Sequence, residues 1–477
     1  MVQERSGGVS GGFFSKERIT AGPGFNRWLV PPAALAVHLS IGQVYAFSVF
    51  NRPLSETGNW SLASVGWIFS IAIVFLGLAA AFGGRWSEDA GPRATMFLSA
   101  ACFGGGFLIS ALGVITTQLW IIFLGYGVLG GIGLGLAYIS PVKTLIRWFP
   151  DRRGMATGMA IMGFGGGAFI GSPLGTNLMN VFETGSSQGV APTFLIMGTI
   201  YLVSMCIGAL AIRVPPEGWQ PEGWTPPEQS ESRSIVATGN VHVNTALKTP
   251  QFWLLWVVLC MNVTAGIGVL GQASVMIQET FGGAITAAAA GGFVGLLSIF
   301  NMAGRIFWAS LSDYIGRKMT YYIFFGLGIA LYASVPLVGS TMGSVILFVA
   351  AFGIILSMYG GGFSTIPAYL SDVFGTAHVG AIHGRLLTAW SVAGVAGPVL
   401  VNYIRQAQIN AGVAEADAYN ITMFIMAGLL VVGFICNLLV RPMNPKYQME
   451  TQQQEREKTA SSGKTAGEPA YSVFEWR

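Results

Sequence analysis

The sequence predicts an all-α integral membrane protein of about twelve transmembrane helices arranged as two six-helix bundles. Three observations carry that prediction. The 477 residues are 52% hydrophobic and only 10% charged, a balance unsuited to a soluble chain of this length. Apolar runs recur from residue 28 to residue 440, each near the roughly 20 residues that a spanning helix needs. The chain also repeats itself: Glu88 and Gly91 return as Asp313 and Gly316, Phe149 as Phe374, and Pro173 as Pro398, each 225 positions later. Two parallel copies of one six-helix unit predict a site at their interface, exposed to each side in turn.

Residues 1–26 are polar and glycine-rich, and they lack the short apolar run and cleavage site of a signal peptide; an N-terminal tail is expected. The first bundle is expected over residues 27–213. Its first helix, from Trp28 to about Phe50, carries His38, Gln43 and Tyr45, polar groups that at such depth face other helices. The second runs from Ser64 to Gly83 and ends in the charged turn GGRWSEDAGPR. The third and fourth run from Ala94 to Gly113 and from Gln118 to Pro141, and the basic patch RWFPDRRG follows. Gly127, Gly131 and Gly135, then Gly163, Gly167, Gly171 and Gly175, recur every four residues and make ridges on which neighbouring helices pack closely. A sixth helix closes near Arg213. Residues 214–248 have no apolar period and read as an extended linker, its duplicated PEGW a packing or membrane-surface feature. The second bundle is expected over 249–441, and the polar residues 442–477 read as a disordered tail.

Charge placement sets the orientation. Arg85 and Arg93, Lys143 to Arg153, Arg317 with Lys318, and Arg385 fall in alternate connections, so those connections and both termini are expected to be cytoplasmic. Cys102, Cys206, Cys260 and Cys436 each lie inside an apolar run as small packing residues, and no metal site or disulfide is expected. Gly125, Gly127 and Gly130 fit GxGxxG, but inside an apolar helix with no strand before it. Gly463, Lys464 and Thr465 resemble the end of a phosphate loop, yet Lys458 stands where its first glycine belongs. No cofactor and no nucleic-acid partner are expected. A membrane enzyme is disfavoured because no HxxxxD or metal cluster is present, and a sensor because the tails are short and polar.

The functional signal is Arg305, a charge well inside an apolar helix, where it costs about 2.5 to 3.5 kcal/mol on insertion scales. Asn301, four residues earlier, shares its helix face. Snorkelling to the cytoplasmic end is disfavoured, because helical side chains tilt toward the helix N-terminus and so back toward the membrane centre. In the repeat, Arg305 falls opposite Ala80 and Asn301 opposite Leu76, so the charge belongs to one half only and is better explained by a ligand than by the scaffold. A guanidinium suits a carboxylate, and one fixed positive charge suits a small monoanion. Tyr138 and Tyr359 are further candidates, and His38 is the candidate proton carrier, since no acidic residue lies at a helix centre.

The turns GGRWSEDAGPR and ASLSDYIGRK resemble the signature loops of the major facilitator superfamily, with Asp89, Gly91, Arg93, Asp313, Gly316 and Arg317 as the matching conformational positions. HLSIGQVYAFSVF, YISPVKTLIRWFPDRRGMATG, the PEGW linker, NMAGRIFWASLSDYIGR and LLTAWSVAGVAGP resemble the oxalate/formate antiporter family within it. The resemblance implies the major facilitator fold and a secondary transporter of lactate-, pyruvate- or formate-like monocarboxylates, working by alternating access as proton symporter or anion exchanger. It implies that Arg305 and Asn301 bind substrate, and that Tyr45, Tyr138 and Tyr359 line the cavity with Gln43 nearby. The oxalate exchanger carries a lysine in its eleventh helix where this chain has Trp390, which favours a monocarboxylate over a dicarboxylate exchanger. An exporter of larger amphipathic compounds is the remaining transporter reading. The expected setting is a bacterial cytoplasmic membrane, with the lipid bilayer and a small organic anion as partners and a functional monomer.

Overall fold

The computed structural model describes residues 12–184, 187–216, 218–223, 239–375 and 377–449. Twelve long helices follow one another: α1 (Arg27–Gly58), α2 (Leu62–Gly84), α3 (Asp89–Ile115), α4 (Leu119–Trp148), α5 (Arg153–Phe182), α6 (Val190–Ala211), α7 (Pro250–Thr280), α8 (Ala287–Ile315), α9 (Arg317–Gly339), α10 (Val345–Phe374), α11 (Val379–Asn410) and α12 (Glu415–Leu439). Among the described residues, eleven of these are long and apolar enough by composition to cross a membrane, all but α5. A lipid interior gives the backbone no hydrogen-bond partners, so each segment must satisfy itself as a helix. Side-chain oxygens start several of them: Ser61 accepts from Ser64 N–H at α2, Thr249 from Phe252 N–H at α7, Thr286 from Ala289 N–H at α8, and Ser344 from Leu347 N–H at α10.

α1 is longer than its apolar run, because the polar segment Asn51–Gly58 continues it beyond the 3₁₀ stretch Gln43–Phe50. The charged turn after α2 is not a loop. The chain stays helical through Arg85–Ala90, breaks at Gly91 (φ 81°, ψ 164°) and resumes at Pro92. Its repeat counterpart Gly316 adopts the same left-handed break (φ 87°, ψ 149°), a backbone region that favours glycine. Two residues after each break a cation closes the last helix of its own bundle. Arg93 donates to Leu210 O (3.4 Å) and Lys318 to Leu438 O (3.0 Å) and Val440 O (2.7 Å), satisfying carbonyls that α6 and α12 leave open. Arg317 pairs with Asp313 and lies 3.8 Å from Asp372, while Asp89 stands exposed.

The repeat extends to helix packing. A methyl group placed on Gly135 would lie 2.3 Å from Leu76 O, and one on Gly360 would lie 2.3 Å from Asn301 O. These pairs are equivalent in the repeat, so α4 meets α2 as α10 meets α8. The bundles join chiefly along two seams, with Ser391 Oγ of α11 donating to Val74 O of α2 (2.9 Å), and Ser298 Oγ of α8 donating to Gly165 O of α5 (2.6 Å).

The linker and tails depart from expectation where they are described. Thr20 pairs with Val214, Val241 pairs with Gln448, and Val243–Ala246 is a helical turn, so 239–248 is not free extended chain. Met443 and Gln448 are buried, and the C-terminal region therefore begins as packed structure. Trp219 of the first PEGW packs its ring 4.8 Å from that of Trp148, with the Arg27 guanidinium 6.0 Å away. Trp224 of the second PEGW, residues 1–11 and residues 450–477 with the Gly463–Thr465 stretch lie outside the described residues.

Candidate functional site

Arg305 of α8 is fully buried between the bundles. Its Nε donates to Asn301 Oδ1 at 3.1 Å, one turn earlier on the same face. Its guanidinium carbon sits 5.6 Å from the Phe164 ring of α5 and 5.5 Å from the Phe363 ring of α10, between one aromatic of each bundle. Among the described residues Arg305 Nη1 and Nη2 and Asn301 Nδ2 have no hydrogen-bond partner of good geometry, although the guanidinium interacts with the Tyr45 and Tyr138 hydroxyls. Among the described residues no carboxylate pairs with Arg305; the buried acid Glu279 is taken by Arg405 and Tyr419 at the far ends of α11 and α12. Buried donors without partners carry a desolvation penalty, largest for charged groups.

Rings surround this charge. Tyr45 OH of α1 and Tyr359 OH of α10 are 2.7 Å apart, a hydrogen bond across the two bundles. Phe164 lies 5.0 Å from Tyr45, 5.7 Å from Tyr138 and 5.4 Å from Trp390, centroid to centroid. Trp390 of α11 in turn meets Phe363 at 4.3 Å and Tyr138 of α4 at 5.5 Å. His38 of α1 approaches Tyr138 at 6.0 Å; its Nδ1 is 3.2 Å from Ala34 O and so carries the proton. His38 Nε2, Tyr138 OH and Trp390 Nε1 are buried without hydrogen-bond partners of good geometry among the described residues. Arg305 acts electrostatically on His38, Tyr45, Tyr138 and Tyr359. The enclosure thus offers a fork of charged donors, a ring of neutral polar tips and one basic nitrogen, which together suit a carboxylate bearing a small polar or apolar substituent.

Six of the candidate contacts are brought together: Arg305, Asn301, Tyr45, Tyr138, Tyr359 and Trp390, with His38 at the edge. Gln43 is not among them. Its Oε1 accepts from Tyr126 OH (3.2 Å) inside the first bundle, and Gly171 lies against its stem. Its place in the same helix as His38 and Tyr45 suggested otherwise, but at two residues from Tyr45 and five from His38 it stands on another face of that helix. Sequence reasoning missed Phe164 and Phe363, which sandwich the guanidinium. The signal was available, since each is a lone aromatic flanked by glycines, in GFGGG and GGGFS. Gly165 was missed too: a methyl group there would lie 2.8 Å from Arg305 Nε and 3.1 Å from Asn301 Oδ1.

Comparison with known proteins agrees with this architecture. The chain is similar to the oxalate:formate antiporter of Oxalobacter formigenes, 27% identical over 87% of this chain and 92% of the relative. It is also similar to monocarboxylate transporter 11 of Homo sapiens, 25% identical over 79% of this chain and 77% of the relative. Its fold matches an inward-facing, unoccupied bacterial homologue of the human lysosomal transporter Spinster with a TM-score of 0.66 at 15% identity, covering 90% of this chain and 99% of that one. These likenesses place it among membrane transporters rather than enzymes. The model of the Major Facilitator Superfamily matches residues 33–398, and this multi-pass membrane protein belongs to that superfamily.

Proposed function

We propose that the protein is a secondary transporter of small monocarboxylates, of the size of lactate, pyruvate or formate, with Arg305 and Asn301 as the carboxylate seat. One observation carries this reading: a fully buried guanidinium that, among the described residues, has no counter-charge and only neutral hydroxyls near its two Nη groups, held between aromatic rings contributed by opposite bundles. A carboxylate would satisfy those donors and offset the penalty of the buried charge. Tyr45, Tyr138, Tyr359 and Trp390 would line the substrate's other end, and His38 Nε2 is the group available to accept a substrate hydroxyl or carry a proton. Trp390 adds no second charge, which favours a monoanion. The bacterial relative named for oxalate and formate supports a dicarboxylate exchanger as the second reading.

Residues 27–213 and 249–441 would move as the two rocking units, with 214–248 as their connection. The linker face, where basic residues gather, would be cytoplasmic, with both termini on that side of a bacterial inner membrane and the monomer as the working unit. Asp313, Gly316 and Arg317, with Asp89, Gly91 and Arg93, would govern the hinge rather than the ligand.

Uptake of labelled lactate, pyruvate, formate and oxalate into proteoliposomes tests the reading. Arg305→Ala is expected to abolish uptake of the preferred anion while the purified protein keeps its fold. Undiminished uptake would sink the assignment of the seat, and transport of oxalate alone would favour the second reading. In the same assay, stimulation by an inward proton gradient marks symport, and dependence on internal anion marks exchange.

A further inference from the structure

Each bundle carries a matched pair of cations on its linker side, at the corner where its last helix ends. α6 stops at Ala211 and α12 at Leu439, and each is followed two residues later by an arginine, Arg213 and Arg441. Each arginine acts electrostatically on the cation that the repeat places at the start of a neighbouring helix, Arg93 of α3 and Lys318 of α9, and Arg18 adds a third like charge near Arg93. In the first corner two guanidinium groups share one carbonyl: Arg93 Nη2 donates to Leu210 O at 3.4 Å and Arg213 Nη1 to the same oxygen at 2.9 Å. Arg93 Nη1 donates to Phe13 O at 3.3 Å, and its buried Nε has no partner among the described residues. In the second corner Lys318 Nζ donates to Leu438 O and Val440 O, and Arg441 is exposed. Among the described residues no carboxylate pairs with Arg93, Arg213, Lys318 or Arg441. A carbonyl satisfies a donor but leaves the repulsion between two cations in place.

Both corners border an apolar outer face. Ile207 and Leu210 of α6 and Leu438 and Leu439 of α12 are exposed, as are Leu98 of α3 and Met319 of α9 on the helices packed against them. In a multi-pass membrane protein such faces meet acyl chains, so the cations at their ends stand at the level of the lipid headgroups. Arg93 and Lys318 also follow the backbone breaks at Gly91 and Gly316 by two residues, which places the charge pairs beside the two turns that the repeat shares.

We infer that each corner seats the phosphate of an anionic membrane lipid, such as phosphatidylglycerol, in the leaflet on the linker side. Arg93 with Arg213 holds one headgroup and Lys318 with Arg441 the other, and the acyl chains lie along α3 and α6 or along α9 and α12. A phosphodiester carries one negative charge on two free oxygens, which a guanidinium meets as a planar fork. That charge offsets the repulsion within each pair, which the shared carbonyls do not. A lipid fits better than free phosphate because it also covers the apolar face that begins at the cations. The inference is independent of which anion the protein transports.

Lipid retention by the purified full chain tests this. Native mass spectrometry of the detergent-solubilised protein, with phosphatidylglycerol or phosphatidylcholine added, is expected to show two phosphatidylglycerol molecules held more tightly than any phosphatidylcholine. One cation near the headgroup corresponds to about a fivefold change in affinity, so Arg213→Gln and Arg441→Gln should each weaken one of the two by about that factor. The double variant should weaken both, while Arg213→Lys with Arg441→Lys, which keeps the charges, should hold them as wild type does. Phosphatidylcholine retention is expected to stay the same throughout, which a merely structural loss would not allow. Equal retention of the two lipids by wild type, an undiminished phosphatidylglycerol preference in the double glutamine variant, or equal loss of both lipids in it overturns the proposal. Inorganic phosphate that displaces the lipid as well as added phosphatidylglycerol does would assign the corners to free phosphate and overturn it too.

Discussion

Arg305 owes its place to two glycines as much as to its own helix. Gly165 leaves the space that its Nε and the Asn301 amide occupy, and Gly360 lets α10 close onto the Asn301 carbonyl. Gly165→Ala is therefore expected to push the guanidinium off its aromatic bed, because the nearest group it meets is the Arg305 side chain at 2.8 Å, with the Asn301 amide and the Met302 Cα each at 3.1 Å behind it. Transport affinity should fall about tenfold, equivalent to ~1.4 kcal/mol. Unchanged half-saturation in the uptake assay would refute that. At this scale the sequence was eloquent about charge and silent about shape. An arginine in an apolar run is conspicuous because of its cost, whereas Phe164 and Phe363 look like any other membrane phenylalanine until the fold brings them to either side of one cation. Gln43 illustrates the converse: polarity marked it, but its position around α1 turned it to Tyr126 inside the first bundle.

Helix α8 and its counterpart α2 share one frame and differ in what they carry. The helical run of each leads to a glycine with positive φ, Gly91 beyond α2 and Gly316 after α8, each glycine is followed by a cation that closes the last helix of the bundle, and both helices press a carbonyl into a glycine notch of a helix two along. Gly135→Ala and Gly360→Ala should therefore be matched lesions. Each forces a methyl group against backbone at 2.3 Å, and each is expected to cost about 1–3 kcal/mol, read as comparable falls in melting temperature. A large fall in one and none in the other would show that the two notches are not equivalent. The helices, their number and the repeat were legible because apolar length and glycine spacing are local properties of the chain. Continuity through Arg85–Ala90 was not, since polar residues suggested a loop where proximity to the protein surface simply permits a polar helix. The docking of Trp219 and of Met443–Gln448 was equally hidden, because it depends on partners far away in sequence.

Across the whole molecule, the face opposite the chain ends is tied by charge. Glu279 of α7 accepts from Arg405 Nε at 2.6 Å and from Tyr419 OH at 2.7 Å within the second bundle, and lies 3.6 Å from Arg52 of the first. The two arginines should have separable effects. Arg405→Ala leaves a buried carboxylate without its close partner and is expected to cost about 3–5 kcal/mol of stability. Arg52 is 43% exposed, so Arg52→Gln should cost less than about 1 kcal/mol and instead weaken the link between bundles, raising turnover at nearly constant melting temperature. A melting temperature that falls equally in both variants would contradict this division. The central sandwich has a related consequence. Phe164 and Phe363 ride on different bundles, so any rocking that parts α5 from α10 strips one face from the guanidinium. If Arg305 is the seat proposed above, an unloaded carrier would meet its steepest climb just as it starts to swing and cargo would lower that climb, so the pair of rings would work as a pawl that suppresses idle cycling and keeps the stroke tied to its freight.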